Sequence, residues 1–255
     1  MSSTGQTGLG AKLAALIEER LALMAPARRL RLALADDIVT RYAGERPIRV
    51  LDAGAGDGLL SLAIAKRHPR WSVLGVDLRA DLLDGARARA RSRSLHNASF
   101  EPADLTEPLP ASGFDVVLAL ECLSEIPDDE QALQMMAAAL APGGLLVVQV
   151  PDREWRPLLS GSAATWREQV RQGYSAEQIA AALRRSGLER VDVQPTFRTT
   201  AALAQEIRDR IKDSNLAIRA AAFPVLAAAV RLERWGITGG RPNALLAVAR
   251  RPDGT

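Results

Sequence analysis

From Ile48 onward, short apolar runs alternate with stretches of helical periodicity, and this alternation restricts the chain more than any other feature. IRVLDAG, WSVLGVD, ASFEPAD, FDVVLAL, LLVVQV, RVDVQP and NALLAVAR read as strands. Several are apolar at consecutive positions, the pattern of strands covered on both faces. Helical patterns fall between them: Gly58 to about His68, stopped by Pro69, then 80–93, then a segment opened by Asp128, and Ser175 to Leu188. Asp128 with Gln131, and Ser175 with Gln178, have capping-box spacing. Strands alternating with helices of this length predict an α/β fold with a doubly wound, mostly parallel, Rossmann-like sheet.

Two further helical patterns precede the alternation. Leu13, Leu16, Ile17, Leu21 and Met24 share one face, as do Leu30, Leu34, Ile38 and Tyr42, with Pro26 between. The stretch 199–235 is longer than a simple strand connection needs. The predicted organisation is an N-terminal helical lid over 1–45, then a domain over 46–255 carrying a helical insertion at about 199–235. The additions suit a lid over the open end of the sheet, or equally a homodimer surface.

Composition removes several functions. The single cysteine, Cys122, cannot form an internal disulfide, and with two histidines the chain cannot build a cysteine-based zinc site. Aromatic residues at 4% leave little for a base-stacking platform. The basic residues are 30 arginines and three lysines, in a net charge of only +3, a weak argument for a nucleic-acid partner. The arginines of 87–93 spread around a helix rather than forming a stripe. The apolar run Ala220 to Val230 is too short to span a bilayer, and the start has no signal-peptide pattern. No membrane and no nucleic-acid partner are expected, and the expected location is cytoplasmic.

The chemistry concentrates where the first strand ends, in Val50-Leu51-Asp52-Ala53-Gly54-Ala55-Gly56-Asp57-Gly58. Glycines between a strand and a helix let a ligand lie against the main chain, although such a turn can also be purely structural. A dinucleotide loop places its glycines first, third and sixth; here they are 54, 56 and 58, and residue 59 is leucine. No Gly-Lys-Ser/Thr follows, so the phosphate-binding P-loop is absent. Asp52 and Asp57 flank the loop and favour a positively charged ligand over a pyrophosphate. Asp77 ends the second strand, where a carboxylate can accept both ribose hydroxyls or cap the next helix. Asp104 follows the third strand and can accept from an adenine amino group or serve only its loop. Leu78 and Leu105 offer apolar faces to a ring. A short-chain dehydrogenase needs tyrosine and lysine four apart, but Tyr174 is followed by Gln178 and Tyr42 by Arg46.

Together, VLDAGAGDG, VLGVDL, the Asp104-Leu105 pair, FDVVLALECLSEIPDD and LAPGGLLVVQVP resemble class I S-adenosylmethionine (SAM)-dependent methyltransferases of the small-molecule type. The resemblance covers roughly 46–150 well and 174–250 loosely. It implies a seven-stranded sheet whose last strand is antiparallel. It also implies SAM as cofactor, with Asp52, Gly54 and Gly56 around its methionyl part, Asp77 on the ribose, Asp104 and Leu105 on adenine, and Leu120 near the methionyl end. The implied function is methyl transfer from SAM to an oxygen or nitrogen of a small-molecule acceptor. An RNA or protein methyltransferase, or a non-methylating SAM-fold protein such as a cyclase or regulator, is the alternative.

On the acceptor side, Glu121 and Glu125 are the candidate catalytic groups, although Glu121 can equally do no more than contact the cofactor and Glu125 be a surface residue or helix neighbour. Many small-molecule members have histidine where Glu125 stands, so a histidine mechanism is not expected. His68 and His96 fall at a helix end and in a loop, and Cys122 reads as a small buried side chain. Trp155, Trp166 and Tyr174 supply apolar surface to an acceptor pocket or to the core. The DNA amino-methyltransferase tetrapeptide is replaced by LECL.

Overall fold

The computed structural model describes residues 25–159, 170–235, 239–240 and 242–254. The expected helix through Leu13, Leu16, Ile17, Leu21 and Met24 lies outside these residues, as does Trp166. The elements, in chain order, are α1 (Pro26–Ala43), β1 (Arg49–Ala53), α2 (Leu59–Arg67), β2 (Ser72–Asp77), α3 (Ala80–Ser92), β3 (Ala98–Pro102), β4 (Phe114–Leu120), a 3-10 turn (Leu123–Glu125), α4 (Asp129–Ala139), β5 (Leu140–Pro151), α5 (Ala176–Arg185), β6 (Glu189–Thr196), α6 (Thr199–Ile211), α7 (Leu216–Arg234) and β7 (Ala244–Arg250).

The seven strands form one sheet in the order β3-β2-β1-β4-β5-β7-β6. The first five are mutually parallel. β7 enters antiparallel between β5 and β6. The doubly wound fold and its antiparallel last strand are therefore present as expected.

Both faces are covered. Leu51, Ala53, Val117, Ala119, Leu146 and Val148 face one core with Leu133 and Met136 of α4 and Leu183 of α5. Val50, Val116, Leu118, Val147 and Leu246 face the other, with Ala35 and Val39 of α1 and Ile64 of α2. Alternating side chains of one strand thus enter opposite cores, which is why these strands carry consecutive apolar residues. α1 extends its packing through Leu30 to Phe197, Ala201 and Ala244.

Local signals place the helix starts. Ser175 and Gln178 form the reciprocal capping box. At α4 the Asp128 carboxylate accepts from the Gln131 backbone N–H at 3.0 Å. The helical insertion expected at about 199–235 consists of two helices, α6 and α7. Asn215 accepts from the Ile218 N–H at 3.0 Å and starts α7 afresh.

The winding reverses between β1 and β4, so the loops leaving their carboxyl ends diverge and open a crevice. Among the described residues no helix is long and apolar enough to cross a membrane.

Gly58 ties the β1–α2 turn to the sheet edge. Its φ is +70°, and an added Cβ would lie 2.5 Å from the Ala86 Cβ and 2.7 Å from the Phe100 ring. Left-handed backbone costs a side chain roughly 1–2 kcal/mol and overpacking roughly 1–3 kcal/mol. Gly58→Ala is expected to lower the unfolding free energy by about 2–5 kcal/mol in urea melts.

Candidate functional site

The glycine loop is shaped by what it touches. Gly54 has φ +78°, and a Cβ there would lie 2.4 Å from the Cys122 Cβ. The Cys122 thiol, its pKa raised by burial, donates to the Ala53 carbonyl at 3.2 Å. The N–H groups of Gly54 and Ala55 both donate to the Val76 carbonyl, at 2.9 and 2.8 Å. The ends of β1, β2 and β4 are thereby drawn together, and only a residue without a side chain fits between them.

Three carboxylates surround this loop, each in a different environment. Asp52 is on the strand face of Val50, is 2% exposed, and accepts from the Ser61 hydroxyl at 2.5 Å. Burial raises its pKa to about 6; Ser61 opposes the rise, and the charges of Asp77 and Asp57 add to it. Asp57, just before the start of α2, accepts from the Leu59 N–H at 3.2 Å and pairs with Arg28 at 3.0 Å. Asp77 accepts from the Gly56 N–H at 2.7 Å on one oxygen. Its other oxygen accepts from the Arg79 backbone N–H at 3.0 Å and the Arg79 Nε at 3.1 Å. Burial pushes the Asp77 pKa up, but the Arg79 and Gly56 hydrogen bonds outweigh it and hold the carboxyl below its ordinary value.

A cavity of about 370 Å³ opens beside the loop. Asp52, Gly54, Gly56 and Leu120 line it together, with Asp57 and Arg79, while Arg28 and Arg31 close it from α1. Asp77 stands directly behind, through Gly56 and Arg79. Leu78, Asp104 and Leu105 do not line the cavity. Leu78 is 70% exposed, and Leu105 is buried in the core beside Leu74 and Val76. Asp104 is exposed and accepts from the N–H and hydroxyl of Thr106 at 2.9 and 2.7 Å, contacts that lower its pKa. A wider depression of about 840 Å³, lined by Arg153, Glu154, Arg156 and Arg171 among others, shares no residue with the first and touches none of the loop.

Glu121 and Glu125 follow β4 but differ in setting. Glu121 has φ +74°, pairs with Arg31 at 3.2 Å, and donates its N–H to the Gln149 carbonyl at 2.9 Å. Glu125 is exposed at the end of the 3-10 turn. Neither histidine lines the cavity: His68 stacks on Trp71 at 3.7 Å and meets Asp36 at 2.7 Å, and His96 is exposed. Tyr174 donates to Asp129 at 2.6 Å as part of the core, and Trp155 is buried.

Four polar residues of this region were not singled out from the sequence: Arg28, Arg31, Arg79 and Gln149. Thirty arginines conceal the first three. Gln149 did leave a signal, a lone amide inside the apolar run LLVVQV. It is fully buried, and both its side-chain oxygen and nitrogen lack hydrogen-bond partners; the Arg31 Nε is likewise buried without one. Leaving such a group unsatisfied costs about 1–3 kcal/mol.

Known proteins resemble this chain in the same region. The family model described as a methyltransferase domain matches residues 27–193. A trans-aconitate 2-methyltransferase of Rhodopseudomonas palustris (strain BisA53) is 35% identical over 141 residues, 53% of each chain. One of Variovorax paradoxus (strain S110) is 35% identical over 124 residues, 48% of this chain and 46% of that protein. The chain thus spans about half the length of the curated relatives it matches. Among solved structures, the [4+2]-cyclase SpnF superposes with a TM-score of 0.63 at 28% identity, covering 86% of this chain and 80% of that one. Haemonchus contortus phosphoethanolamine N-methyltransferase 2, solved with S-adenosyl-L-methionine, gives 0.62 at 23% identity, covering 85% and 52%, a likeness of fold.

The raised Asp52 pKa makes stability depend on pH in a defined direction. The carboxyl keeps its proton up to about 6 when folded, against 3.8 for the ordinary group. Between those values the folded chain binds more protons than the unfolded one, so stability falls as pH rises through that window. Asp52→Asn, which holds no charge at any pH, is expected to melt above wild type at pH 8 and alongside it near pH 4. Thermal melts at the two pH values read this out.

Proposed function

The chain belongs to the class I SAM-dependent methyltransferase family, and from that premise we propose that it transfers the SAM methyl group to an oxygen or nitrogen of a small-molecule acceptor. The observation carrying this reading is that Asp52, Gly54, Gly56 and Leu120, from two different strand ends, line one cavity. Its volume lies within the range of small-ligand pockets, roughly 300–1,000 Å³.

The residues present fit SAM. Gly54 admits backbone approach where a Cβ has no room, and Asp52 and Asp57 supply negative charge for a cationic ligand. Asp52, Gly54 and Gly56 would hold the methionyl part, with Leu120 beside it. Asp77 would take the ribose; its oxygen shared with Arg79 becomes available when the exposed guanidinium turns away. Asp104, with Leu78 and Leu105, is assigned to the adenine end. When bound, SAM supplies a methyl group already activated by its sulfonium. The chain's own task is then chiefly to hold the acceptor in line with that methyl and exclude water, a positioning effect worth roughly 7–11 kcal/mol in well-oriented pairs. Arg28 and Arg31 place α1 as the roof of the cavity, in keeping with a lid formed by the N-terminal region.

The trans-aconitate relatives favour a small carboxylic acid as acceptor. For a hydroxyl or amine acceptor, Glu125 would be the proton-accepting group, since Glu121 is held by Arg31. A second reading, a cyclase that does not transfer methyl, has the SpnF likeness in its favour. Incubation with SAM and a panel of small acids, phenols and amines separates the two. Methyl transfer yields S-adenosylhomocysteine and a methylated acceptor by mass spectrometry, whereas SAM left intact with every acceptor removes the transferase reading.

Asp77→Ala is expected to weaken SAM binding by about tenfold or more in calorimetry, as loss of a charge-assisted contact does. Unchanged affinity would remove Asp77 from the ribose site.

A further inference from the structure

Gln149 and Arg31 carry polar atoms that the fold leaves unused at one place. Val147 faces the α1 side of the sheet, so Gln149, two residues on, faces it too. In register it lies between Leu120 of β4 and Leu246 of β7. Leu120 lines the cavity, so the buried amide is one side chain away from it. Arg31 reaches the same strand end from α1, pairing with Glu121 at 3.2 Å beneath a guanidinium-to-ring contact with Phe197 at 5.8 Å. The backbone N–H of Glu121 in turn donates to the Gln149 carbonyl.

The unpartnered atoms are the Arg31 Nε and both the nitrogen and the oxygen of the Gln149 amide. They amount to three N–H donors against one acceptor, and exchanging the amide's two ends leaves that count unchanged. A site with this excess of donors suits a group that only accepts. An ionised carboxylate is such a group, while a phenol or an amine brings its own N–H or O–H.

We propose that Gln149 and Arg31 are specificity-determining residues that seat a carboxylate of the acceptor, reached by a rotamer change at Leu120. The proposal rests on the methyltransferase reading and narrows its acceptor to a small carboxylate. In the reaction, a lone pair of the carboxylate oxygen forms the new O–CH₃ bond. The S–CH₃ bond breaks with its electron pair left on sulfur. The products are a methyl ester and a neutral thioether, and no proton changes hands. This chemistry needs no general base. It accords with a cavity that no histidine lines and with Glu121 serving as the counter-ion of Arg31.

The test is calorimetry on the full chain loaded with S-adenosylhomocysteine, titrated with succinate, fumarate, trans-aconitate, tricarballylate and benzoate. At least one is expected to bind wild type. Gln149→Met keeps the volume but removes the donors, and is expected to bind that acid about ten- to hundredfold more weakly. Its affinity for S-adenosylhomocysteine should stay within about twofold, and its melting temperature should rise because an unsatisfied amide is gone. Arg31→Lys, which loses the Nε donor but keeps the charge, should weaken the acid in the same direction. If S-adenosylhomocysteine itself fails to bind wild type, the methyltransferase reading falls and takes this proposal with it. If it binds but no acid does, or if Gln149→Met binds the acid as wild type does, the carboxylate seat alone is refuted.

Discussion

The site depends on the contact between Gly54 and Cys122. At that point the end of β1 and the loop after β4 approach so closely that a single added carbon would lie 2.4 Å from its neighbour. The two strands are adjacent in the sheet but belong to opposite halves of its winding. Their loops are held together at this pinch, and the cavity lies beside it. A bulkier residue at position 54 would push the loop outward and close the space a ligand needs. Asp52 and Leu120 face the same hollow because each ends a strand that the pinch holds in place.

Electrostatics divides that hollow. The loop side carries Asp52, Asp57 and, one layer back, Asp77. The α1 side carries Arg28 and Arg31, each already paired across the gap, to Asp57 and Glu121. A cationic donor against the first wall and an anionic acceptor against the second would meet with their charges complementary. Such an arrangement gives orientation as well as affinity, because reversing the two ligands sets like charges together. Arg79 also lines the cavity, on the loop side. Its guanidinium adds to the Gly56 and Arg79 backbone N–H groups that already satisfy Asp77, and in the proposed reading a ribose would take its place.

The buried polar cluster around Glu121 carries a cost that much of the core avoids. Several buried polar groups among the described residues find partners: Ser61 meets Asp52, Tyr174 meets Asp129, and Glu206 accepts from the N–H groups of Leu158 and Leu159, whereas the Ser124 hydroxyl and the Arg250 Nε do not. The Gln149 amide has none. A leucine there would continue the apolar run and stabilise the sheet. The presence of glutamine is thus a local disagreement between stability and sequence, the kind concentrated at functional sites.

How far the sequence reached is clear from particular residues. Consecutive apolar positions in VVLAL and LLVV report strands buried on both sides, because alternating side chains must each meet a core. Glycines 54, 56 and 58 report a turn that needs positive φ, and all three have it. These are local properties, set by periodicity and by the absence of a Cβ, so the sequence alone carries them. The break at 212–215 leaves a fainter trace, since only Asn215 marks the new start. What the sequence could not carry is which distant side chains share a cavity. Arg28 and Arg31 look like any of thirty arginines until α1 folds over the sheet. Gln149 stands out in the sequence as an amide in an apolar run, but that its side chain lacks a partner shows only once β4 and β7 pair on either side of it. Those relations come from the packing of segments far apart in the chain, and only the tertiary structure decides them, because no local pattern encodes the distance between two faces.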